Sequence, residues 1–310
     1  MNVAVLTGGV GGARFLRGLV DVVDASGVTA IVNVGDDLEV LGVAVSPDLD
    51  SVLYTLAGLA DEERGWGRAD ETWNALDAAT AFGGDGWFRL GDRDLGLHLV
   101  RTQALRAGLP LSAVTARLAA AAGVEAALLP ATDDRLRTWL DTPSGAFPFQ
   151  QWFVARGHRD PVDRVRFDGA AAARPAPGVL EALHDADVIV IAPSNPYVSI
   201  GPILAVERIR SALERRRAPA IAVSPLIGGR AVKGPAAAML ARLEGGTSAA
   251  HVARCYPGLI DALVFDEADA DDADAVSEQG VRPIVAWTLM SDADARRRLA
   301  ETALDALALT

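Results

Sequence analysis

The start of the chain constrains the fold more than any other feature. An apolar run (NVAVLT) leads through a glycine-rich turn into a helix-patterned segment (GARFLRGLVDVV), and a second apolar run (VTAIVNVGDD) follows and ends in polar residues. Two such runs joined through a helix read as a βαβ unit, because parallel strands need a long crossover. The alternation returns later in DADVIVIAPSNP, GPILAVERIRSALERR, APAIAVSPLIGG, LIDALVFDEAD and VRPIVAWTLMSDADARRRLAETALDAL. Strands this continuously apolar belong in a parallel sheet covered by helices, so the fold class is α/β. GPILAVERIRSALERR reads as one helix, and Ser291 with Asp294 has the spacing of a capping box for the last one.

Roughly residues 60–175 differ in character, with helical patterns in LGLHLVRTQALRAG and LSAVTARLAAAAG and a hairpin pattern in LRTWLDTPSGAFPFQQWFV. This region is expected to be a mainly helical inserted cap on the α/β core, within a single domain spanning 1–310.

Composition narrows the function. No window approaches the roughly 18 unbroken apolar residues of a membrane span, and the N-terminus lacks the basic flank of a signal peptide. A cytoplasmic protein without membrane partners is expected. Cys255 is the only cysteine, which excludes an internal disulfide and a Cys-rich zinc site; it reads as a buried thiol. A formal net charge of −12 argues against nucleic acid as a partner, since phosphate contacts dominate such affinity. A phosphate-bearing ligand must then be met locally, by amides, a few arginines or a metal ion. The acidic stretch DEADADDADAVSEQ reads as a solvated face.

In open α/β sheets ligands bind beyond the carboxyl ends of the strands, and three loops fall there. In the first, Gly8, Gly9, Gly11 and Gly12 would let backbone amides approach an anion at a helix N-terminus, with Arg14 adding charge one turn later. No Gly-Lys-Ser/Thr follows, and Arg14 stands where a dinucleotide fingerprint has its third glycine; a turn needed only for packing is the alternative. In the second, Asp36, Asp37, Asp48 and Asp50 lie close together. Pro47 disfavours helix at Ser46. If residues 48–50 are extended, Asp48 and Asp50 share a face with Leu49 inward. Such carboxylates suit Mg²⁺ or a general base, while helix capping by Asp48 or Asp50 and an Asx-turn at Asp36 are the structural alternatives. The third loop offers Ser194, Asn195 and Ser199 before Gly201, for a base, a phosphate or merely a connection. In LGDRDLGLHLVR, Arg93 could face a phosphate, while Asp94 and His98, one turn apart, read as a surface ion pair. Trp66, Trp73, Trp87 and Trp152 suit either core packing or the walls of a flat aromatic ligand.

LTGGVGGARFL, NVGDDLEVLG, SPDLDSVLYTLAG, RGWGRADETW, LGDRDLGLHLVR, FQQWFV, APSNPYVSIGPI and VSPLIGG occur in that order. Together they resemble, from end to end, the 2-phospho-L-lactate transferase family of coenzyme F-420 biosynthesis, the CofD/FbiA-like proteins. The resemblance implies a Rossmann-like parallel-sheet core, Mg²⁺ dependence and a homodimer. It implies an acceptor, the deazaflavin Fo, whose ribityl hydroxyl attacks the distal phosphorus of a guanosine-diphosphate-linked donor and displaces GMP. On this implication Asp37, Asp48 and Asp50 serve the Mg²⁺ and acceptor hydroxyl, with Asp36 also a metal ligand. Gly9, Gly11, Gly12 and Arg14 serve the phosphates, and Ser194, Asn195, Ser199 and Gly201 the guanosine side. Asp92 and Arg93 line the donor site, and Trp66 and Trp73 form a deazaflavin wall. The donor's acid is 2-phospholactate in archaeal members and phosphoenolpyruvate in actinobacterial ones. The arginine-rich composition, with Lys233 the lone lysine, and RGWGRADETW favour the latter. Two rivals remain: a nicotinamide-dependent oxidoreductase, and a nucleotide- or sugar-phosphate-binding regulator of related fold.

Overall fold

The computed structural model describes residues 1–308. β1 (Val3–Thr7) runs into α1 (Gly9–Val20), and β2 (Val28–Val32) precedes a hairpin of β3 (Leu38–Val40) and β4 (Val43–Val45). Four helices follow, α2 (Pro47–Leu56), α3 (Asn74–Ala81), α4 (Asp92–Arg106) and α5 (Leu111–Ala121), and then β5 (Ala127–Pro130). β6 (Arg137–Thr142), β7 (Gly145–Pro148) and β8 (Arg164–Asp168) make a separate antiparallel sheet with β6 in the middle. The chain continues through α6 (Val179–His184), β9 (Val188–Ile191), α7 (Gly201–Ala205), α8 (Glu207–Glu214) and β10 (Ala220–Val223). After a short ribbon of β11 (Leu226–Ile227) and β12 (Arg230–Ala231) come α9 (Ala236–Glu244), α10 (Ala249–Arg254) and β13 (Ala262–Asp266). α11 (Ala273–Ser277), β14 (Arg282–Ala286) and α12 (Ala293–Ala308) complete it.

The main sheet has seven strands, all parallel, in the order β14-β13-β10-β9-β1-β2-β5. Every residue of β1, β9, β10 and β13 is buried, as strands covered on both faces must be. The edge strands are partly exposed, and the edge position of β14 lets it carry Pro283. From β1 the chain builds outward through β2 to β5, then returns at β9 and builds the other way. Right-handed crossovers in opposite directions put their helices on opposite faces, and the crevice opens where the direction reverses, between β1 and β9. α1 packs between α2 and α12, so closely that Gly18 lies against the Arg296 carbonyl. The region 60–175 covers the core and also contributes to it, since β5 pairs with β2.

Several local expectations need correction. The glycine segment is the first turn of α1 rather than a free loop. Gly8 is extended at the N-cap, and only Gly9 (φ +67°) takes a left-handed turn that demands glycine. Residues 48–50 are helical rather than extended, because Pro47 sits at the first position of α2, where its missing N–H costs nothing. GPILAVERIRSALERR breaks at Val206 (ψ 99°) into α7 and α8, after a π-helical turn over Pro196–Ile200. The last helix is capped by Asp292, whose carboxylate accepts from the Ala295 amide at 2.8 Å, while Ser291 merely donates to Asp292. No helix among the described residues is long and apolar enough to cross a membrane.

Candidate active site

The carboxyl ends of β1, β2 and β9 meet at Gly8. Ser194 donates to the Gly8 carbonyl at 2.8 Å and accepts from its amide at 3.3 Å, tying the first loop to the third. Gly11 lies so close to the Pro193 carbonyl that a Cβ would come within 2.6 Å of it, and Gly12 lies against Thr7 and Ser194. These two glycines are needed for packing. Gly9 is needed for its backbone angle.

Asn33, fully buried after β2, joins the loops. Its amide donates to Asp48 Oδ2 at 2.8 Å and to the Val198 carbonyl at 3.1 Å, and its Oδ1 accepts from the Gly35 amide at 2.7 Å. The tight Asn33–Gly35 turn, rather than an Asx-turn at Asp36, sets the course of the second loop. Asp48 enters the same space from the first turn of α2 and packs on Gly8. Burial pushes its carboxyl up to about 6, against the hydrogen bonds from Asn33 and the Gly9 amide. Asp36 is buried with no partner for Oδ1; burial, and then the neighbouring Asp48, push it well above the usual carboxylate range. Asp37 accepts from Ser46 Oγ at 2.9 Å, has no partner for its own Oδ1, and is pushed by burial up to about 7 despite the nearby Arg137 and Arg101.

Asp50 belongs to a different arrangement. Both its oxygens are taken by Arg101 of α4, through Nη1 at 3.0 Å and through Nη2, and both side chains are buried. Its Oδ2 also accepts from the Ser46 amide at 3.3 Å. Beside this pair, His98 Nε2 lies 3.1 Å from Asp94 Oδ1, which accepts from Tyr54 Oη at 2.5 Å. Burial pushes Asp94 up, but the contacts with His98, Tyr54 and Arg101 outweigh it and hold it below its usual range. The Asp94–His98 contact expected at the surface is therefore a buried link between α2 and α4, with His98 1% exposed.

Other expected site residues have commitments of their own. Asp92 accepts from Thr72, Asn74 and the Ala75 amide, which hold its carboxyl down at about 2. Arg93 extends toward Asp70, 3.6 Å away, and both are largely exposed. The amides of Arg93 and Asp94 are capped by the Glu71 carboxylate at 2.8 and 2.7 Å, an approach possible only because residue 91 is glycine. RGWGRADETW and LGDRD are thus two halves of one lock. Trp66 and Trp73 stand 6.3 Å apart, with Arg64 over Trp66 at 4.6 Å and Arg89 over Trp73 at 4.3 Å. Trp152 is core. Arg14 donates to the Met290 carbonyl at 2.6 Å. Asn195 caps the π-helical turn by accepting from the Tyr197 amide at 2.9 Å; Ser199 is buried beside Gly8, and Gly201 lies against Phe167.

The residues gathered at the crevice are therefore Gly8, Gly9, Asn33, Asp36, Asp37, Asp48, Ser194 and Ser199. Sequence reasoning missed Asn33, Tyr54, Arg101 and Arg137. Only Asn33 left a signal, as a polar residue closing an apolar strand. A surface cavity of about 660 Å³ between Leu41 and Leu99 shares no residue with this cluster. No three acidic, His or Cys side chains among the described residues converge as a ready-made metal cage. The unpartnered oxygens of Asp36 and Asp37 instead fit an ion held by one or two carboxylates, which takes its remaining ligands from water and substrate phosphate.

An open parallel sheet with a glycine turn and buried carboxylates at its switch point defines an α/β protein of the doubly wound class, whose ligand crevice lies at that point. Comparison with known proteins is specific. Residues 3–299 match the family model described as 2-phospho-L-lactate transferase CofD. Proteins named phosphoenolpyruvate transferase from Streptomyces griseus and Streptomyces coelicolor are each 46% identical and cover 98% of this chain, over 98% and 97% of their own lengths. One from a Mycobacterium species (strain JLS) is 44% identical over 91% of this chain and 92% of its own. A solved structure of protein BH3568 from Bacillus halodurans shares the fold, with a TM-score of 0.66 at 20% identity over 98% of this chain and 99% of that one. The chain belongs to the CofD family and is a transferase of coenzyme F-420 biosynthesis.

Proposed function

We propose that the protein transfers a phosphoenolpyruvyl group from a guanosine-diphosphate-linked donor to the ribityl hydroxyl of Fo and releases GMP. The observation that carries this reading is the unpartnered buried oxygens on Asp36 and Asp37, with Asp36 next to the Asp48 that packs on Gly8 at the N-terminus of α1. The enolpyruvyl donor is favoured over the phospholactyl one by the names of the 46% identical relatives.

The diphosphate would lie on the first turn of α1, where backbone amides and the helix dipole favour negative charge. Asp36, with Asp48 beside it, would hold Mg²⁺, which when bound neutralises charge on the phosphates. The attacking hydroxyl must lose a proton as its oxygen bonds to the distal phosphorus and the bond to GMP breaks. Asp37, with a free oxygen and a carboxyl raised to about 7 by burial, is suited to take it. Asn33 orients Asp48, while Arg101 holds Asp50 in its own buried pair.

The test is a chromatographic assay with Fo, Mg²⁺ and each guanylylated donor in turn. GMP and an enolpyruvyl product are expected, with no turnover by Asp37→Asn. A folded protein that binds Fo but consumes neither donor would refute the reading. Binding of a nucleotide or sugar phosphate without any turnover would favour the regulator instead.

A further inference from the structure

Arg137 opens β6, beside the aspartate turn. The neighbouring Thr138 amide donates to the Gly35 carbonyl at 2.8 Å, which fixes the start of β6 against the residues that precede Asp36 and Asp37. Arg135, just before β6, pairs with Asp168 at 2.6 Å and Arg166 of β8 with Asp141 at 2.7 Å, while Arg164 of β8 is exposed and makes no ion pair among the described residues. Arg137 too has no carboxylate partner among the described residues. Its one hydrogen bond is from Nη1 to the carbonyl of its own neighbour Leu136, at 2.7 Å. Its cross-strand partner in register is Asp168, but that carboxylate is engaged by Arg135. A half-buried guanidinium bears a desolvation cost, which an anion relieves. Asp36 and Asp37 lie near enough for charge to be felt but make no ion pair with it. Two faces of the fork, Nε and Nη2, are therefore left for a ligand.

Its position on the sheet edge indicates which ligand. The loops follow the strand order β9, β1, β2, β5, so the α1 turn and Arg137 flank the aspartates from opposite sides. A diphosphate that starts on α1 and crosses the aspartates presents its far end to Arg137. Resting on the donor reading above, we propose that Arg137 holds the anionic distal end of the donor, through its carboxylate or its distal phosphate, and so selects donor over bare nucleotide. Arginine suits this because its planar fork meets either group with two parallel bonds.

The test is calorimetric titration of wild type, Arg137→Gln and Arg137→Lys with the guanylylated phosphoenolpyruvate, GDP and GMP, each with Mg²⁺. Arg137→Gln is expected to weaken donor binding at least about tenfold, the scale of a lost charge-assisted hydrogen bond, and to leave GMP unchanged. Arg137→Lys, which keeps the charge and guards against a folding artefact, should lose less. If GDP binding is unchanged in Arg137→Gln, the carboxylate is the group held; if it falls with the donor, the distal phosphate is. Unchanged donor binding, or an equal fall for all three ligands, would overturn the assignment. Wild-type protein that binds none of them removes the donor reading and this assignment together.

Discussion

Asp48 and Asp50 stand two positions apart on one helix, yet face different tasks. Asp48 looks into the crevice toward Asn33 and Gly9, whereas Asp50 looks back into α4 and meets Arg101 with both oxygens. The motif SPDLDS marks both as notable, but nothing within it reveals the arginine 51 positions away. Removing one member of a buried ion pair leaves the other uncompensated. Arg101→Met is therefore expected to cost about 3–5 kcal/mol, and the double variant with Asp50→Leu to recover much of that loss. Urea unfolding checks this; a loss under about 1 kcal/mol would show that the pair is solvated and Asp50 free for other work.

At the scale of elements, glycines in helices divide by what a methyl group would touch. At Gly11 it would press into the Pro193 carbonyl at 2.6 Å and push α1 away from the β9 loop, whereas at Gly96 of α4 it meets nothing within 4 Å. Gly11→Ala should cost about 1–3 kcal/mol by overpacking, and Gly96→Ala should gain about 0.5–1 kcal/mol. Thermal melts of the two variants suffice, and equal effects would refute the distinction. The sequence shows both as glycine in a helical pattern and cannot separate them. The strands were legible because their apolar runs are unbroken. The break at Val206 was not, since Ala205, Val206 and Glu207 all have acceptable helical chemistry and only the tertiary fold bends them. The lock between Glu71, Gly91 and Asp92 was visible only as two separate motifs, because capping across 22 positions is a contact and not a pattern.

For the whole molecule, the crevice stores charge at a cost. An ordinary aspartate titrates near 3.8, while burial raises Asp37 to about 7 and Asp48 to about 6. The native state therefore keeps protons that the unfolded chain has released over this interval. Stability from these groups is full below about pH 4 and is lost as pH rises through 6 and 7. The melting temperature of ligand-free protein should fall between about pH 5 and pH 8, and Asp37→Asn should flatten the slope. On the proposed reading, added Mg²⁺ with GDP would favour the ionised carboxylates and should stabilise more at the upper end than at the lower. Scanning calorimetry across that range is the measurement, and a ligand-free profile that rises with pH would contradict the burial of Asp37.

The Gly9 amide at the head of α1 already has a companion, the carboxylate of Asp48. The helix end that would welcome any passing anion is thus furnished from within. A bare phosphate arriving from solution meets negative charge at the very place where the dipole would otherwise attract it. On the proposed reading, a nucleotide that brings its own divalent counter-ion would turn the same carboxylate from an obstacle into a handhold. The doorway would then be tuned to neutralised guests, and an abundant small anion would be kept from idling in it.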